Sequence, residues 1–414
     1  MANNNNKDKC NVPHLRFPEF TEEWEIYKVS ELLDFYSTNS LCWEQLEYET
    51  NTVQNLHYGL IHVGLPTMID LSKDKLPNIK EGNMPKNFEL CKNGDIAFAD
   101  ASEDTNEVAK AVEFYDLDEK DVVCGLHTIH GRDNADRTVI GFKGYAFSSD
   151  TFHHQIRRIA QGTKVFSIST KNFSECYIGI PSKEEQTKIV TLLRLINERI
   201  ATQNKIIEDL KKLKSAISAK LFSQEPIVWN RLNSYFIKGK AGGTPTSTNK
   251  KFYDGDIPFL SINDITKQGK YIWQTENHIS QNGLDNSSAW IVPKHSLIMS
   301  MYASVGLVTI NQVPIATSQA MFSMLLKDES LLDYLYYYLS YFKRRHIHKY
   351  LETGTQSNIN ADIVCGIMIP DYEYRHNIKI ASMLQSIDVK LDNESLILNQ
   401  YNQQKQYLLS QMFI

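Results

Sequence analysis

The strongest constraint on the fold is a long amphipathic pattern that the sequence contains twice. The first copy spans residues 181–222 and places large apolar residues at steps of three and four, or multiples of them, which is the spacing of one helix face. These seam positions are Ile189, Leu193, Ile196, Ile200, Ile207, Leu210 and Ile217. Adding 191 to each number gives Ile380, Leu384, Ile387, Leu391, Leu398, Tyr401 and Leu408. The sequence therefore contains an internal repeat.

Each copy predicts one helix of nearly forty residues, which corresponds to about 55–60 Å at 1.5 Å per residue. The apolar seam is narrow and recurs nearly every 3.5 residues, so it favours packing against a second helix, and the other copy is the obvious partner. We expect a two-helix coiled coil, parallel or antiparallel. The alternative is two unrelated helices buried in separate cores, but core helices carry wider apolar faces.

The segments that precede the two long helices have a mixed pattern of short apolar runs and polar loops. The runs Gly59–Val63, Ile96–Ala99 and Thr138–Phe142 predict strands in the first segment. Ile257–Ile262 and Ser296–Ser300 predict strands in the second. The order is globular unit, helix, globular unit, helix. The sequence therefore predicts a mixed α/β (α+β) fold in which one unit is used twice.

Composition bounds the class of protein. A chain of 414 residues is long enough for two or three domains with substantial cores. We find no apolar run of transmembrane length and no signal-peptide core, so we expect a cytoplasmic protein that does not bind membranes. The six cysteines include no Cys-x-x-Cys pair, and we interpret them as reduced thiols rather than disulfides or a zinc site. The net charge of −5 argues against a nucleic-acid binder that acts alone.

Catalytic and metal-binding signatures are missing from the sequence. We find no methyltransferase motif of the Asn/Asp-Pro-Pro-Tyr/Phe type, no phosphate loop and no Gly-x-Gly-x-x-Gly. The spacing of His127 and His130 and the pair His153-His154 lack the accompanying ligands of a zinc site. The ten carboxylates between Asp95 and Asp121 are irregularly spaced, which favours a solvated loop or a docking face over a metal centre. We therefore predict a non-catalytic chain without a metal site.

Several short motifs recur in the same order in both halves. They comprise Trp24 and Trp229 at the start of each half, Gly242-Gly243-Thr244-Pro245, Tyr253–Ile257, Gly162-Thr163, Gly354-Thr355, and Ile180-Pro181 with Glu185-Gln186. With these motifs the chain, from Val12 onward, resembles the specificity subunits of type I restriction–modification systems. Two departures stand out. Ile369-Pro370 is followed by Glu373-Tyr374-Arg375 instead of the Glu-Gln pair, and the first half has no Gly-Gly-Thr-Pro loop.

The resemblance implies two target-recognition domains in a pseudo-twofold tandem repeat, each reading one half of a bipartite site in double-stranded DNA. It implies that the two helices pack antiparallel, fix the spacer between the half-sites and hold two adenine-N6 methyltransferase subunits. Two motor–nuclease subunits would join for restriction. On this reading the chain binds no cofactor directly, and S-adenosylmethionine, ATP and Mg²⁺ belong to the partner subunits.

The same reading divides the chain into five segments. They are an N-terminal tail and docking segment (1–23), a first recognition domain (24–180), a long spacer helix (181–223), a second recognition domain (224–368) and a C-terminal spacer helix (369–414).

Candidate DNA-binding residues follow from local charge. Phosphate contacts need Lys, Arg and exposed backbone N–H groups, which basic helix ends and Gly-Thr loops provide. Arg, Asn and Gln are the side chains that read guanine and adenine in the major groove. The candidates are Arg132, Arg157, Arg158, Thr163, Lys164, Gly243, Thr244, Gln319, Lys343, Arg344, Arg345, Lys349, Thr355 and Gln356. The competing interpretation of the basic clusters is a solvated helix end that complements the helix dipole.

Three other functions remain open. A scaffold that uses the coiled coil only for assembly would show no dependence on DNA. A fused, self-contained modification enzyme would need the methyltransferase motif that is missing here. An orphan specificity subunit that competes with or redirects other systems would have the same sequence features.

Overall fold

The computed structural model describes residues 11–350 and 358–414. It confirms a mixed α/β fold and divides into two compact units. The first unit comprises Met1–Asn204 and Ile397–Ile414, and the second comprises Lys205–Leu396. The boundary between the units falls within both long helices.

The first unit contains the strands β1–β13 and the helices α1–α5, followed by the first long helix. The strands are β1 Glu25–Lys28, β2 Asp34–Tyr36, β3 Leu46–Glu47, β4 Gln54–Leu56, β5 Met68–Asp70, β6 Asn78–Ile79, β7 Ile96–Ala99, β8 Ala101–Ser102, β9 Ala111–Asp116, β10 Val122–Cys124, β11 Thr128–Arg132, β12 Phe166–Ser167 and β13 Tyr177–Ile180. The helices are α1 Val29–Leu32, α2 Tyr58–His62, α3 Phe142–Phe147, α4 Asp150–Ile159, α5 Thr170–Ser174 and α6 Lys183–Phe222.

The strands of the first unit form a five-stranded sheet of order β2-β11-β7-β9-β5 and a four-stranded sheet of order β10-β4-β6-β3. Two smaller pairs, β1-β13 and β12-β8, complete it. All four residues of β7 are buried, as expected for a strand covered on both faces. Phe98 on β7 contacts Phe147 and Phe173 from the covering helices at ring-centroid distances of 4.9 and 4.6 Å.

The second unit contains strands β14–β24 and helices α7–α10, followed by the second long helix. The strands are β14 Val228–Arg231, β15 Phe236–Ala241, β16 Ile257–Leu260, β17 Tyr271–Ile272, β18 Asn277–Ile279, β19 Ile291–Val292, β20 Leu297–Ser300, β21 Val308–Asn311, β22 Ile315–Thr317, β23 Met321–Leu326 and β24 Met368–Asp371. The helices are α7 Ile262–Gln268, α8 Gln281–Asp285, α9 Leu332–Arg345, α10 Ala361–Gly366 and α11 Tyr374–Gln411.

The five-stranded sheet of the second unit repeats that of the first, whereas the four-stranded sheets differ in strand order. The five-stranded sheet has the order β15-β23-β20-β21-β17, and the four-stranded sheet has the order β18-β16-β22-β19. When the strands of each five-stranded sheet are numbered along the chain, both sheets have the order 1-5-3-4-2. In both, the strand at the last place in this order, β5 or β17, is parallel to its neighbour. The tandem repeat inferred from the sequence is therefore a repeat of the five-stranded sheet.

The long helices α6 and α11 pack antiparallel. In the first unit Leu193 and Ile196, near the start of α6, share a core with Leu408 near the end of α11. In the second unit Ile217, near the end of α6, packs against the core that contains Ile380 near the start of α11. All fourteen seam residues are buried or half-buried. The antiparallel arrangement is thus confirmed.

Three local predictions were wrong. Gly59–Val63 lies largely in helix α2, where the His57 side chain caps the first turn, and Thr138–Phe142 leads into helix α3 rather than forming a strand. The acidic stretch Asp95–Asp121 contains β7, β8 and β9 instead of being one solvated loop. Short apolar runs do not distinguish strand from helix by periodicity alone.

Two carboxylates of that stretch, Asp95 and Glu113, are buried in the first unit. Glu113 on β9 lies 3.1 Å from the ammonium group of Lys143 and accepts hydrogen bonds from the N–H groups of Gly141 and Gly144 at 2.8 and 2.7 Å. Burial raises the pKa of Glu113, and the pairing with Lys143 opposes that effect.

Candidate nucleic-acid interface

Loops of the second unit converge at one end of its five-stranded sheet, where β15 and β20 end and β23 begins. The N–H of Gly242 donates to the carbonyl of Met321 at 3.1 Å, and the N–H of Gly243 donates to the carbonyl of Thr317 at 2.9 Å. The N–H of Met301 donates to the carbonyl of Ala320 at 2.7 Å. These bonds fix three loops against one another. A Cβ atom at Gly242 would overlap the Thr317 carbonyl, so this approach requires glycine.

The convergence brings together two candidate residues from distant parts of the sequence. The hydroxyl of Thr244 donates a hydrogen bond to the amide oxygen of Gln319, and both side chains are exposed. Gly243 is buried and its N–H is already bonded to Thr317, so it serves the loop rather than offering a free donor.

The basic end of α9 reaches the same loops. A Cβ atom at Gly306 would lie 3.1 Å from Cγ of Lys343 and 3.3 Å from Ile347. Lys343 is half-buried, and burial lowers its pKa. Arg345 and Lys349 are exposed. We call residues 242–244, 301–306, 318–320 and 343–349 the second loop edge.

Three further candidates are Arg344, Thr355 and Gln356. Arg344 is exposed and donates to the hydroxyl of Ser215 at 3.2 Å. Thr355 and Gln356 lie outside the described residues. Just beyond them, the N–H of Ile359 donates to the carbonyl of Met301 at 3.0 Å, which places residue 359 against the second loop edge.

The first unit builds an equivalent edge with the same backbone hydrogen bonds. Asn39 N–H donates to the Cys124 carbonyl at 3.1 Å, and Asp100 N–H donates to the His127 carbonyl at 3.1 Å. Ile168 N–H donates to the Asp100 carbonyl at 2.9 Å, as Ile359 does to Met301. We call residues 37–41, 100–107, 125–127 and 157–168 the first loop edge. The place of Gly242-Gly243-Thr244 is taken here by Thr38-Asn39-Ser40.

The remaining first-unit candidates lie along this edge. Arg157 donates to the side-chain oxygen of Asn106 at 3.5 Å, and Arg158 lies 2.9 Å from the ring nitrogen Nε2 of His154. Both arginines, together with Thr163 and Lys164, are exposed. Gly162 has a φ of 143°, and a Cβ atom there would overlap the carbonyl of Val165, so the Gly-Thr loop also requires glycine.

Arg132 is the candidate that the structure places in the core. Arg132 is 7% exposed, and its guanidinium group donates to Asp95 from Nε and Nη2, both at 2.8 Å. It also donates to Glu89 at 2.7 Å and to the carbonyl of Leu90 at 2.8 Å. These bonds raise the pKa of Arg132 and occupy its donor groups. We leave Arg132 out of the DNA interface.

The role of the Glu185-Gln186 motif is evident only from the structure. Glu185 forms a two-bond ion pair with Arg16 at 2.7 Å for each bond, with side chains only 1% and 8% exposed. Gln186 accepts from the Val139 N–H at 2.8 Å and donates to the Arg137 carbonyl at 3.0 Å. The motif therefore ties the N-terminal segment and the 137–139 loop to the start of α6. In the second unit the buried Asn377 bonds Asp371 and the Tyr372 N–H in its place.

Within residues 11–350 and 358–414, no helix combines the length and apolar character that crossing a bilayer requires.

Comparisons with known proteins find one family model and several relatives that match part of the chain. Residues 231–403 match the type I restriction modification DNA specificity domain. The chain is 36% identical over 111 residues to the type I restriction enzyme HindI specificity subunit of Haemophilus influenzae, covering 27% of this chain and 23% of that protein. It is 27% identical over 158 residues to the MjaIX specificity subunit of Methanocaldococcus jannaschii, covering 37% and 36%. The matches thus span well under two thirds of these relatives.

Solved structures match over nearly the whole chain. The type I restriction–modification S subunit of M. genitalium has a TM-score of 0.58 at 16% identity, with 97% of this chain and 99% of that chain covered. A chain from a structural study of type I restriction–modification complex assembly has a TM-score of 0.60 at 16% identity, with 93% and 96% covered. The resemblance recognised in the sequence is confirmed.

Proposed function

We propose that this chain, a relative of the type I specificity subunits, is the non-catalytic DNA-sequence-specificity subunit of a type I restriction–modification complex. Each recognition domain, residues 24–180 and 224–368, reads one half of a bipartite site in double-stranded DNA. The observation that carries the proposal is the pair of loop edges. The same backbone hydrogen bonds hold different exposed side chains in each unit, as two readers of different half-sites require.

In the second unit, base reading is assigned to the Thr244–Gln319 pair and phosphate contact to Arg345 and Lys349. The hydroxyl of Thr244 holds the Gln319 amide through its oxygen. No bond within the described residues engages the Gln319 NH₂ group, so it is available to a base edge. Glutamine pairs with adenine in the major groove, and exposed cations neutralise phosphates.

In the first unit, Arg157, Arg158, Thr163 and Lys164 are assigned to the DNA backbone. The exposed Gly162–Lys164 loop follows the basic end of α4 directly. Phosphate contacts fix the position of a reader on the duplex without specifying sequence. The base-reading side chains of the first unit then come from the turns 37–41 and 125–127, which correspond to the Thr244 and Gln319 loops of the second unit.

The long helices are assigned two roles, a spacer that sets the gap between half-sites and a docking surface for two methyltransferase subunits. Several large apolar side chains on these helices are exposed rather than buried in the seam: Leu195, Leu213, Met383, Val389, Leu396 and Tyr407. We assign these exposed apolar side chains to the surface that a methyltransferase subunit would cover. Two motor–nuclease subunits would complete the restriction complex, and S-adenosylmethionine, ATP and Mg²⁺ would be bound by the partners.

The test is adenine-methylation mapping after co-expression of this chain with a matching methyltransferase subunit in a host without other adenine methylation. We expect N6-methyladenine at one bipartite motif with a fixed spacer. The double variant Thr244→Val/Gln319→Leu should degrade one half of the motif and leave the other intact. Methylation that is unaffected by the chain, despite a stable complex, would instead establish a scaffold.

A further inference from the structure

Two cysteines and one histidine meet in the interior of the first unit. Cys91 precedes β7 and is held to β10 by its N–H, which donates to the Val122 carbonyl at 2.8 Å. Cys124 is the last residue of β10, and His130 lies in the middle of β11. Their ligand atoms all lie within 4.8 Å of one another, and the three residues are at most 6% exposed. We propose that Cys91, Cys124 and His130 form a metal-binding site for a thiolate-preferring divalent ion, with Zn²⁺ as its natural occupant.

The surrounding hydrogen bonds fix which nitrogen of His130 can bind a metal. The Asp95 carboxylate accepts from Arg132 at 2.8 Å and from the Lys92 N–H at 2.9 Å, so it is ionised and can only accept. Nε2 of His130 lies 2.7 Å from the same carboxylate and must therefore donate its proton to it. The lone pair of neutral His130 then resides on Nδ1.

This Nδ1 atom is buried and has no hydrogen-bond partner within residues 11–350 and 358–414. Leaving a buried polar atom unsatisfied costs about 1–3 kcal/mol, so such atoms are rare unless something unseen binds them. A histidine that donates from one ring nitrogen to a carboxylate and keeps the other nitrogen free for a ligand bond is the usual form of a metal-ligating imidazole.

The separation of the two sulfurs also fits a shared metal ion. Two Zn–S bonds of about 2.3 Å that meet at a tetrahedral angle place the sulfur atoms roughly 3.8 Å apart. The Sγ atoms of Cys91 and Cys124 are 3.6 Å apart. A disulfide would require about 2.05 Å. Two thiolates and one imidazole are a ligand set that selects zinc over calcium or magnesium.

The second unit provides an internal comparison, because the strand registers align the two units residue by residue. Cys124 pairs with Leu56 as Thr317 pairs with Leu260, and His130 pairs with Ala97 as Ser323 pairs with Ile298. Leu90 bridges to Val123 of β10 as Ile291 pairs with Ala316 of β22, so Val292 occupies the position of Cys91. The hydroxyl oxygens of Thr317 and Ser323 lie 3.5 Å apart where the first unit has sulfur and imidazole. The fold therefore does not require ligand residues at these positions.

A metal ion here would join the two sheets of the first unit. Cys124 belongs to the four-stranded sheet and His130 to the five-stranded sheet. The turn 125–127 between them is part of the first loop edge, and its His127 carbonyl accepts from Asp100. The proposed ion thus lies beneath a DNA-facing turn, but the site stands on its own geometry and does not depend on the DNA-binding role.

The first measurement is the metal content of the full chain, purified under reducing conditions from zinc-supplemented medium, by elemental mass spectrometry. We expect about one zinc ion per chain. Replacement of zinc by Co²⁺ should produce thiolate-to-cobalt charge-transfer bands and the visible bands of a tetrahedral site. Folded chain with no bound zinc, or an intact mass lower by two hydrogens that reductant restores, would overturn the proposal, the latter in favour of a disulfide.

The matched variants copy the second unit. Cys91→Val/Cys124→Thr introduces the residues that the same fold already accommodates at Val292 and Thr317, so loss of folding is not expected. Zinc content should fall at least tenfold in this variant. The control Cys176→Ser removes a buried first-unit thiol outside the cluster and should keep the full zinc content. Zinc retained by Cys91→Val/Cys124→Thr would show that the ion binds elsewhere.

Discussion

The turn that follows β7 in the first unit and the turn that follows β20 in the second occupy the same place in equivalent sheets. The first carries Asp100, Glu103, Asp104 and Glu107, whereas residues 301–306 of the second carry no charged side chain. The second turn contacts the basic end of α9, and Asn106 of the first turn accepts a hydrogen bond from Arg157 at the basic end of α4. Backbone hydrogen bonds, which are the same in both units, hold the turns in place. The charge of the side chains in this turn can therefore change without a change in the fold.

The two units also differ in the contacts that anchor each of them to the start of its long helix, and this difference gives the largest expected effect. Arg16→Ala should destabilise the first unit by about 3 kcal/mol, because it leaves Glu185 buried and unpaired. Asn377→Ala in the second unit should cost only about 1–2 kcal/mol, because a neutral amide is lost. Hydrogen exchange of β7 and β20 peptides in increasing urea measures the two units separately. The double variant Arg16→Met/Glu185→Met should recover most of the loss. Equal stability of Arg16→Ala and wild type would contradict the anchor.

The charge of the second loop edge should dominate phosphate binding. Removing two cations with Arg345→Ala/Lys349→Ala should weaken duplex binding about tenfold and reduce the slope of log K against log salt by about 1.8. Lys294→Ala/Lys327→Ala is the matched control, because these exposed lysines lie at the opposite ends of β20 and β23. Fluorescence anisotropy of the assembled methyltransferase complex measures both. An unchanged salt slope in the first variant would remove this edge from the interface.

The two units should also respond differently to acid. His57 in the first unit is 3% exposed and burial lowers its pKa; burial also lowers the pKa of His346 in the second unit, but that side chain is only half-buried. In the unfolded chain the His57 side chain binds a proton below about pH 6.5, whereas in the folded chain its lowered pKa opposes protonation. The free energy of unfolding that is present above that pH is therefore lost as the pH falls.

His57→Asn isolates this effect. Asparagine can keep the cap that His57 provides to the Gly59 N–H but does not titrate. The free energy of unfolding of the first unit should decrease between pH 7 and pH 5 in both proteins, and the decrease should be smaller in the variant by up to about 1 kcal/mol. Hydrogen exchange at each pH is the measurement, and parallel pH profiles would exclude His57 as the source.

The smallest effect concerns the acidic turn. Glu103→Gln/Asp104→Asn should raise non-specific DNA affinity about two- to fivefold at low salt, and the gain should disappear at high salt because these charges are exposed. Glu22→Gln/Glu23→Gln removes two exposed carboxylates outside the edge and should change little. If both variants gain affinity equally, only net charge matters and the turn has no special role.

The long helices and the duplicated plan could be predicted from the sequence because a periodic pattern is local information. The meeting of Thr244 with Gln319 could not, since it depends on how β15, β22 and β23 are ordered in space. The sequence offers Arg132 as a DNA-binding candidate because it does not reveal the ion pair with Asp95, which lies 37 residues earlier. Cys91, Cys124 and His130 lack the short spacing of known zinc motifs, so only the sheet brings them together.

Because of how the chain is divided, the two units are completed at different times during synthesis. The second unit is one continuous stretch, residues 205–396, so all of it exists before residue 397 is added. The first unit needs Leu408, Met412 and Phe413 in its core, and Trp24 contacts Phe413 at a ring-centroid distance of 6.3 Å. The half that is translated first is therefore completed last. A premature stop within α11 would remove part of the first unit's core while leaving most of the second unit encoded.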